Sequence, residues 1–395
     1  MKKKVLIIVP KLSNGGTEKV AASLSYYLDP DKYDITFLLF FNDKIDFDYK
    51  GEIEILNLIS GKSTISKLYT NIARYIKVKA FKKKLNPSAT ISFESGPNIL
   101  NILTRHGDKT ILTVHFCKSE EDKDFYKRVY DWLIKKMYNS STYIVGVSRL
   151  IKNDLEVNYH LSPDKVKTIY NFYNTSKINS LSKIKLDKEY EQLFTTKRVI
   201  INVGRLTYQK GQWHLIKAFS KLKEKYSDIA LVLLGVGEME DELKELIKKL
   251  SLDEVYLLGF DSNPFKYVGK SFLFALPSMY EGFPNVLVES LSCETVVVSS
   301  DCKSGPRELL DPKSSILDKS EEVIYGEYGV LIPRFGKEIN LEISLEQEDI
   351  LLSSAIDSLL SNEELYLSYK NKSLERAKMF DGKSIIRDYE KLIDD

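Results

Sequence analysis

Cysteine is scarce in this chain of 395 residues: Cys117, Cys293 and Cys302 are the only three. They are odd in number and lack metal-ligand spacing, which argues against a disulfide framework and suits a reducing, cytoplasmic setting. Long apolar runs are lacking too, for nothing approaches the roughly 20 residues of a membrane-spanning helix. The opening Met1-Lys-Lys-Lys-Val-Leu-Ile-Ile-Val-Pro10 imitates a signal peptide. Its apolar core is short and runs into polar residues, so it reads as a first buried strand. Neither charge sign dominates: 58 Lys and Arg against 56 Asp and Glu leave a formal +2. No overall polyanion partner is implied, and a nucleic-acid binder fits poorly. No Walker loop, His/Cys cluster or tandem repeat occurs. What is plentiful is apolar content, 43%, enough for the cores of two to three ordinary domains.

Short β-type runs alternate with helical periodicities along the whole chain. Strands are expected at 4–9, 34–41, 89–93, 110–114, 142–147 and 166–170, then at 198–203, 229–234, 255–258, 272–276, 295–299 and 329–332. Most are continuous Val/Ile/Leu/Phe runs, as parallel strands covered on both faces require. Helical spacing lies between them, for example at 17–28 and 239–250. The pattern predicts an α/β fold. The rhythm breaks in a polar, Lys-rich stretch and restarts, so 176–197 reads as a linker between residues 1–175 and 198–377. The stretch 347–395 reads as all-helical.

Two constellations carry chemistry. The first is Glu281-Gly-Phe-Pro-Asn-Val-Leu-Val-Glu289, which follows a strand-like run and leads into a helical pattern. Pro284 suits the first helical position, and the N–H groups of Asn285, Val286 and Leu287 would then be free to hold an anion. A phosphate on that helix end, with a carboxylate on each side to receive hydroxyls, matches the layout of a sugar nucleotide. The second follows the buried run 199–203: Gly204-Arg205-Leu-Thr-Tyr-Gln-Lys210-Gly211. Glycines bound a tight loop that carries two cations at a strand's carboxyl end, where open α/β sheets bind ligands.

Together these residues strongly resemble the retaining GT-B glycosyltransferases, particularly glycosyltransferase family 4. The resemblance runs through Asn14-Gly15-Gly16-Thr17-Glu18, Leu112-Thr-Val-His115, Val145-Gly-Val-Ser148, Ile169-Tyr-Asn171, Leu234-Gly235-Val-Gly237-Glu238 and Ser304-Gly305-Pro306-Arg-Glu308. It implies two Rossmann-like domains facing a central cleft, the first binding acceptor and the second the nucleotide sugar. A last helix, about 378–395, is implied to cross back to the first domain. The resemblance also implies that Arg205 and Lys210 hold a diphosphate without metal or other cofactor. Glu281 would hold sugar hydroxyls and Glu289 the ribose. Gly15, Gly16, Gly204, Gly237, Phe283 and Pro284 would shape the donor site, with His115 on the donor sugar. The leaving phosphate would itself take the acceptor's proton on the same face. A UDP-hexose or UDP-N-acetylhexosamine is the implied donor. Two departures stand out: Ser292-Cys293-Glu294-Thr295-Val296 replaces the family's Ala-Cys-Gly-x-Pro, and Asn174 replaces its usual Asp.

Residues 62–84 hold eight basic side chains and no acidic one: Lys62, Lys67, Arg74, Lys77, Lys79, Lys82, Lys83 and Lys84. Ile65, Leu68, Tyr69, Ile72 and Ile76 share one helical face, with Lys67 and Arg74 opposite. Such a helix can lie on anionic lipid at the cytoplasmic face of the inner membrane, which fits a lipid-linked saccharide acceptor in surface-polysaccharide assembly. The alternative is an ordinary helix whose apolar face packs on its sheet. His106, His160 and His214 read as structural or surface residues. Asp46-Phe-Asp48 imitates a metal-binding Asp-x-Asp, but sits at the wrong place in the βα rhythm. Two rival functions remain: a UDP-N-acetylhexosamine epimerase of the same shape, and a non-catalytic subunit supporting an active transferase.

Overall fold

In the run Lys3–Val9 (β1) the last five residues are fully buried, so both faces of this strand are covered. The computed structural model describes residues 2–13, 15–59, 61, 63–120, 125–318, 320–336 and 338–395. Asn14 of the first Gly-rich loop and Lys62 of the basic stretch lie outside them. The chain divides into two units, Met1–Phe172 with Gly382–Asp395, and Tyr173–Asp381.

In the first unit β1 is joined by β2 (Tyr33–Leu39), β3 (Glu52–Ile55), β4 (Ala89–Phe93), β5 (Lys109–Val114), β6 (Tyr143–Gly146) and β7 (Val166–Thr168). All pair in parallel, in the order β3-β2-β1-β4-β5-β6-β7. The helices are α1 (Gly16–Tyr27), α2 (Thr64–Leu85), α3 (Ser95–Leu103), α4 (Phe125–Met137) and α5 (Arg149–Val157), with the C-terminal helix Gly382–Asp394. Alternation along β1 feeds two cores. Val5, Ile7 and Val9 meet Val20 and Leu24 of α1 and Ile386, Tyr389 and Ile393 of the C-terminal helix, while Leu6 and Ile8 meet Val78 and Leu100. The pattern above did not show β3, because its Glu-Ile-Glu-Ile sequence forms a half-exposed edge.

The second unit begins with α6 (Thr175–Ser182) and α7 (Lys188–Thr196), which overturns the linker expected at 176–197. Ile178, Leu186 and Phe194 are buried there, and Asn179 donates to Ser292 O and to Glu294 Oε1. Three apolar side chains among many lysines were too few to read as periodicity. Asn174 caps α6 by accepting from Lys177 N, so the family's Asp position is a helix cap, a place Asn fills equally well. There follow β8 (Arg198–Val203), α8 (Gln212–Lys223), β9 (Ile229–Leu234), α9 (Glu240–Lys249), β10 (Val255–Gly259), α10 (Phe265–Val268) and β11 (Leu273–Leu276). The unit continues through α11 (Asn285–Ser292), β12 (Val296–Ser300), α12 (Pro306–Leu310), β13 (Ile324–Tyr325), β14 (Val330–Ile332), α13 (Gln347–Ser361) and α14 (Glu363–Lys378). Its sheet runs β10-β9-β8-β11-β12-β14-β13, parallel except for the last pair.

Helix α2 lies opposite to the ordinary expectation for an amphipathic helix. Ile65, Leu68, Tyr69, Ile72 and Ile76 face solvent, with Ile65 82% and Tyr69 73% exposed. The inward side packs Val78 with Tyr75, Phe81 and Leu85 and adds polar ties. Arg74 donates to Leu58 O at 2.8 Å and lies over the rings of Phe40 and Phe41. Lys82 is fully buried, its ammonium 2.8 Å from Asp108 Oδ2 and 2.7 Å from Asn101 Oδ1. Lys82 thus leaves the solvated basic set in which the sequence placed it. Stripping one partner from a buried pair strands the other charge. Lys82→Met is expected to destabilise the first unit by about 3–5 kcal/mol, and Lys83→Met by under about 0.5 kcal/mol, as read by urea unfolding.

Candidate active site

Both sheets reverse winding direction once, between β1 and β4 in the first unit and between β8 and β11 in the second. At such a switch point neighbouring loops leave in opposite directions and open a crevice at the strands' carboxyl ends.

In the second unit the loops after β8 and β11 are cross-tied. Met279 N donates to Gln209 O at 2.9 Å, Gln209 Nε2 to Tyr280 O, and Gln212 Nε2 to Arg205 O. These ties bring Lys210 and Glu281 together, with Nζ 2.6 Å from Oε1 and both side chains largely buried. Ser278, fully buried, donates to the same Oε1 at 2.7 Å. Ser278 was not singled out in the sequence, where a serine after Leu-Pro has no signature. The stem of Lys210 crosses Gly204, with its carbons about 3.6 Å from where a Cβ would stand. Arg205 is exposed, and among the described residues nothing pairs with its guanidinium. One cation of the loop is therefore anchored and the other free to swing. Gly237 packs against this loop, and a side chain there would stand 2.2 Å from Leu206 O.

The helix after Glu281 differs from expectation in one respect. Pro284 is the cap of α11, and the helix begins at Asn285. Asn285 N donates to Phe283 O and Leu287 N to Pro284 O, both at 2.9 Å, so two of the three expected free donors are engaged in turns. Asn285 Oδ1 also receives the Tyr173 hydroxyl. The Phe283 ring is buried beside Phe380 and Leu287 lies in the core, so their side chains shape the site from beneath. Val286 and Glu289 are half-buried on the helix. Glu294, where the family has Gly, adopts a left-handed φ of 60°, and Asn179 fastens its carboxylate at 2.9 Å.

In the first unit Gly15 caps α1 and Gly16 opens it. The Glu18 carboxylate occupies the space above Gly15, 1.8 Å from where a Cβ would be, so a side chain there would displace it. His115 follows β5 and is buried. Burial, with the Lys118 charge nearby, pushes its pKa down to about 3, so the ring is neutral at working pH. Its Nε2 lies 3.1 Å from Thr113 Oγ1. That hydroxyl already donates to Ser92 O, so it accepts from Nε2–H and the ring presents Nδ1 as an acceptor. His115 lines a cavity of about 530 Å³ with Thr17, Glu94, Asn98 and Lys118.

A further cluster lies in the second unit. His214 Nδ1 is 2.6 Å from Asp349 Oδ1, and Glu346 completes a trio whose ligand atoms lie within 4.8 Å of one another. Both acids are already used: they form the capping box of α13, and Asn340 donates to Glu346. The trio fastens α13 to α8.

Residues 14–177 match Glycosyltransferase Family 4 and residues 183–321 match Glycosyl transferases group 1. The chain is 34% identical over 365 residues to the Methanocaldococcus jannaschii glycosyltransferase MJ1059, covering 87% of this chain and 89% of that one. It is 33% identical over 393 residues to the Campylobacter jejuni N-acetylgalactosamine-N,N'-diacetylbacillosaminyl-diphospho-undecaprenol 4-alpha-N-acetylgalactosaminyltransferase, covering 98% of each. Among solved structures, Anabaena Alr3699/HepE in complex with UDP superposes with a TM-score of 0.75 at 18% identity over all of both chains. With both halves matched and two relatives alike nearly end to end, the chain belongs to the group 1, family 4 glycosyltransferases of GT-B fold.

Proposed function

We propose that this enzyme transfers an N-acetylhexosamine from its UDP conjugate to a hydroxyl of a lipid-linked saccharide, with retention at the anomeric carbon and without a metal ion. The observation that carries this reading is the buried Lys210–Glu281 pair at the second unit's switch point, with Arg205 free beside it. When the sugar–phosphate bond breaks, negative charge grows on the diphosphate. Lys210, already fixed by Glu281 and Ser278, meets that charge without reorganising, and Arg205 folds onto it from solvent. Glu281 keeps a second carboxylate oxygen for sugar hydroxyls, and Glu289 is the partner for the ribose. The leaving phosphate takes the acceptor's proton on the same face, so no separate base is required. The Campylobacter relative, named for transferring N-acetylgalactosamine to a diphospho-undecaprenol-linked saccharide, supports this choice of donor and acceptor class.

The outward face of α2 supports a membrane-surface setting. No helix among the described residues is long and apolar enough to cross a bilayer. The exposed ridge Ile65, Leu68, Tyr69, Ile72 and Ile76 continues along the same face into Lys79 and Lys83, and Lys67, Lys77 and Lys84 are exposed on the same helix. An apolar ridge among cations, with no acidic side chain on the helix, fits the boundary of an anionic leaflet.

UDP at 100 times its Kd should stabilise the enzyme by about 2.7 kcal/mol, seen as a rise in Tm that ADP and GDP do not give. Lys210→Ala should lower kcat by about 100- to 1,000-fold with a smaller change in donor KM. An unchanged kcat would contradict the assigned role, and an inverted anomeric signal in the product's NMR spectrum would rule out retention. In co-sedimentation with phosphatidylglycerol vesicles, replacing Leu68 and Ile72 with Ser should weaken binding about tenfold or more per side chain. Equal pelleting of variant and wild type would remove the membrane contact.

A further inference from the structure

Glu94 directly follows β4 at the first unit's switch point and caps α3 with φ 76° and ψ 161°. That region of backbone space is essentially reserved for glycine, and a residue with a side chain is strained there by about 1–3 kcal/mol. Gly96, two residues on, adopts no such φ. The chain therefore holds an acid where glycine would be the relaxed choice.

Glu94 gains no structural bond in return. Among the described residues nothing hydrogen-bonds its carboxyl, and only its backbone carbonyl is used, accepting from Asn98 N. The side chain opens into the 530 Å³ cavity, within the size range of small-ligand sites. Charged and titratable groups face it from each neighbouring element: Lys11 before α1, Glu18 on α1, His115 and Lys118 after β5, and Tyr130 and Asp131 on α4. Asp131 is engaged by Lys127 and Tyr159 and His115 is neutral. That leaves Glu94 as a hydrogen-bond acceptor with capacity to spare. Burial, then the charge of Glu18, pushes its pKa up to about 7, against Lys118 and Lys11. Phe116 and Tyr130 add aromatic faces at the cavity wall.

We propose that this cavity seats the terminal sugar of the acceptor saccharide and that Glu94 selects and orients it by receiving its hydroxyls. The proposal rests on the transferase reading above and adds a subsite and a residue to it. Asn98 and Thr17 also line the cavity, and the aromatic faces of Phe116 and Tyr130 cover the sugar's apolar side. The unusual backbone at Glu94 sets the direction in which its side chain leaves the chain.

The test uses the full-length enzyme saturated with UDP, probed by saturation-transfer NMR with octyl α-glycosides of N-acetylgalactosamine, N-acetylglucosamine, galactose and glucose. Failure of UDP itself to bind would count against the donor reading and is scored separately by thermal shift. With UDP bound, at least one glycoside should bind wild type, and Glu94→Gln and Glu94→Gly should each bind it about 10- to 100-fold more weakly. Wild-type binding should fall as pH drops below about 7, where the carboxylate takes up a proton, while Glu94→Gln stays flat. Glu94→Gly should hold or raise Tm while losing the glycoside, a combination that a structural role cannot give. Undiminished glycoside binding by both variants, or none by wild type with UDP bound, would overturn the proposal.

Discussion

The handedness of parallel crossovers governs this enzyme more than any single contact. A right-handed helix must return on a fixed side of its sheet, so a sheet that grows outward from a central strand has to reverse direction once. At the reversal two loops part and their backbones leave a gap. Each unit reverses once, and the candidate residues gather there: Lys210 and Glu281 beside one gap, Gly15 and Glu94 beside the other. The sequence supplies those loops with glycines where backbones touch and with charges where space remains.

Opposite charges at the second unit's gap are held close before any substrate arrives. A lysine in contact with a buried carboxylate cannot wander, so its field points in one direction. Ser278 donates to the same oxygen, and Ser300 in turn donates to Ser278 O at 2.5 Å, so the acid that steadies Lys210 is itself steadied. Arg205 contrasts with it, being exposed and, among the described residues, unpaired. The loop thus pairs one tethered cation with one exposed cation.

Much of this was legible beforehand. The continuous apolar runs announced two parallel sheets, and Gly204-to-Lys210 and Glu281-to-Glu289 drew attention to two loops that the fold brings together through Lys210 and Glu281. The units also divide where the βα rhythm paused, although the pause itself proved helical. What stayed hidden depended on partners far apart in sequence. Nothing near Lys82 reveals that Asp108 will bury it, and nothing near α2 reveals that Arg74 and Lys82 will turn its apolar side outward. Pro284 was expected inside the first turn, the usual place for proline, yet its ψ of 84° leaves it just outside the helix as the cap. Glu94 escaped notice because a lone acid after a strand has no pattern. Its meaning lies in a dihedral angle, which composition does not encode.

The rooting of α2 has an evolutionary corollary. Most amphipathic helices are glued to their domain by their greasy stripe, so any change to the stripe endangers folding. Here a different face does that work: Val78 with Tyr75, Phe81 and Leu85 packs inward, and Lys82 and Arg74 add ionic and hydrogen-bonded ties to Asp108 and Leu58 O. The stripe is thereby released from architectural duty. Substitutions along it can therefore accumulate position by position while the packed body beneath stays as it is.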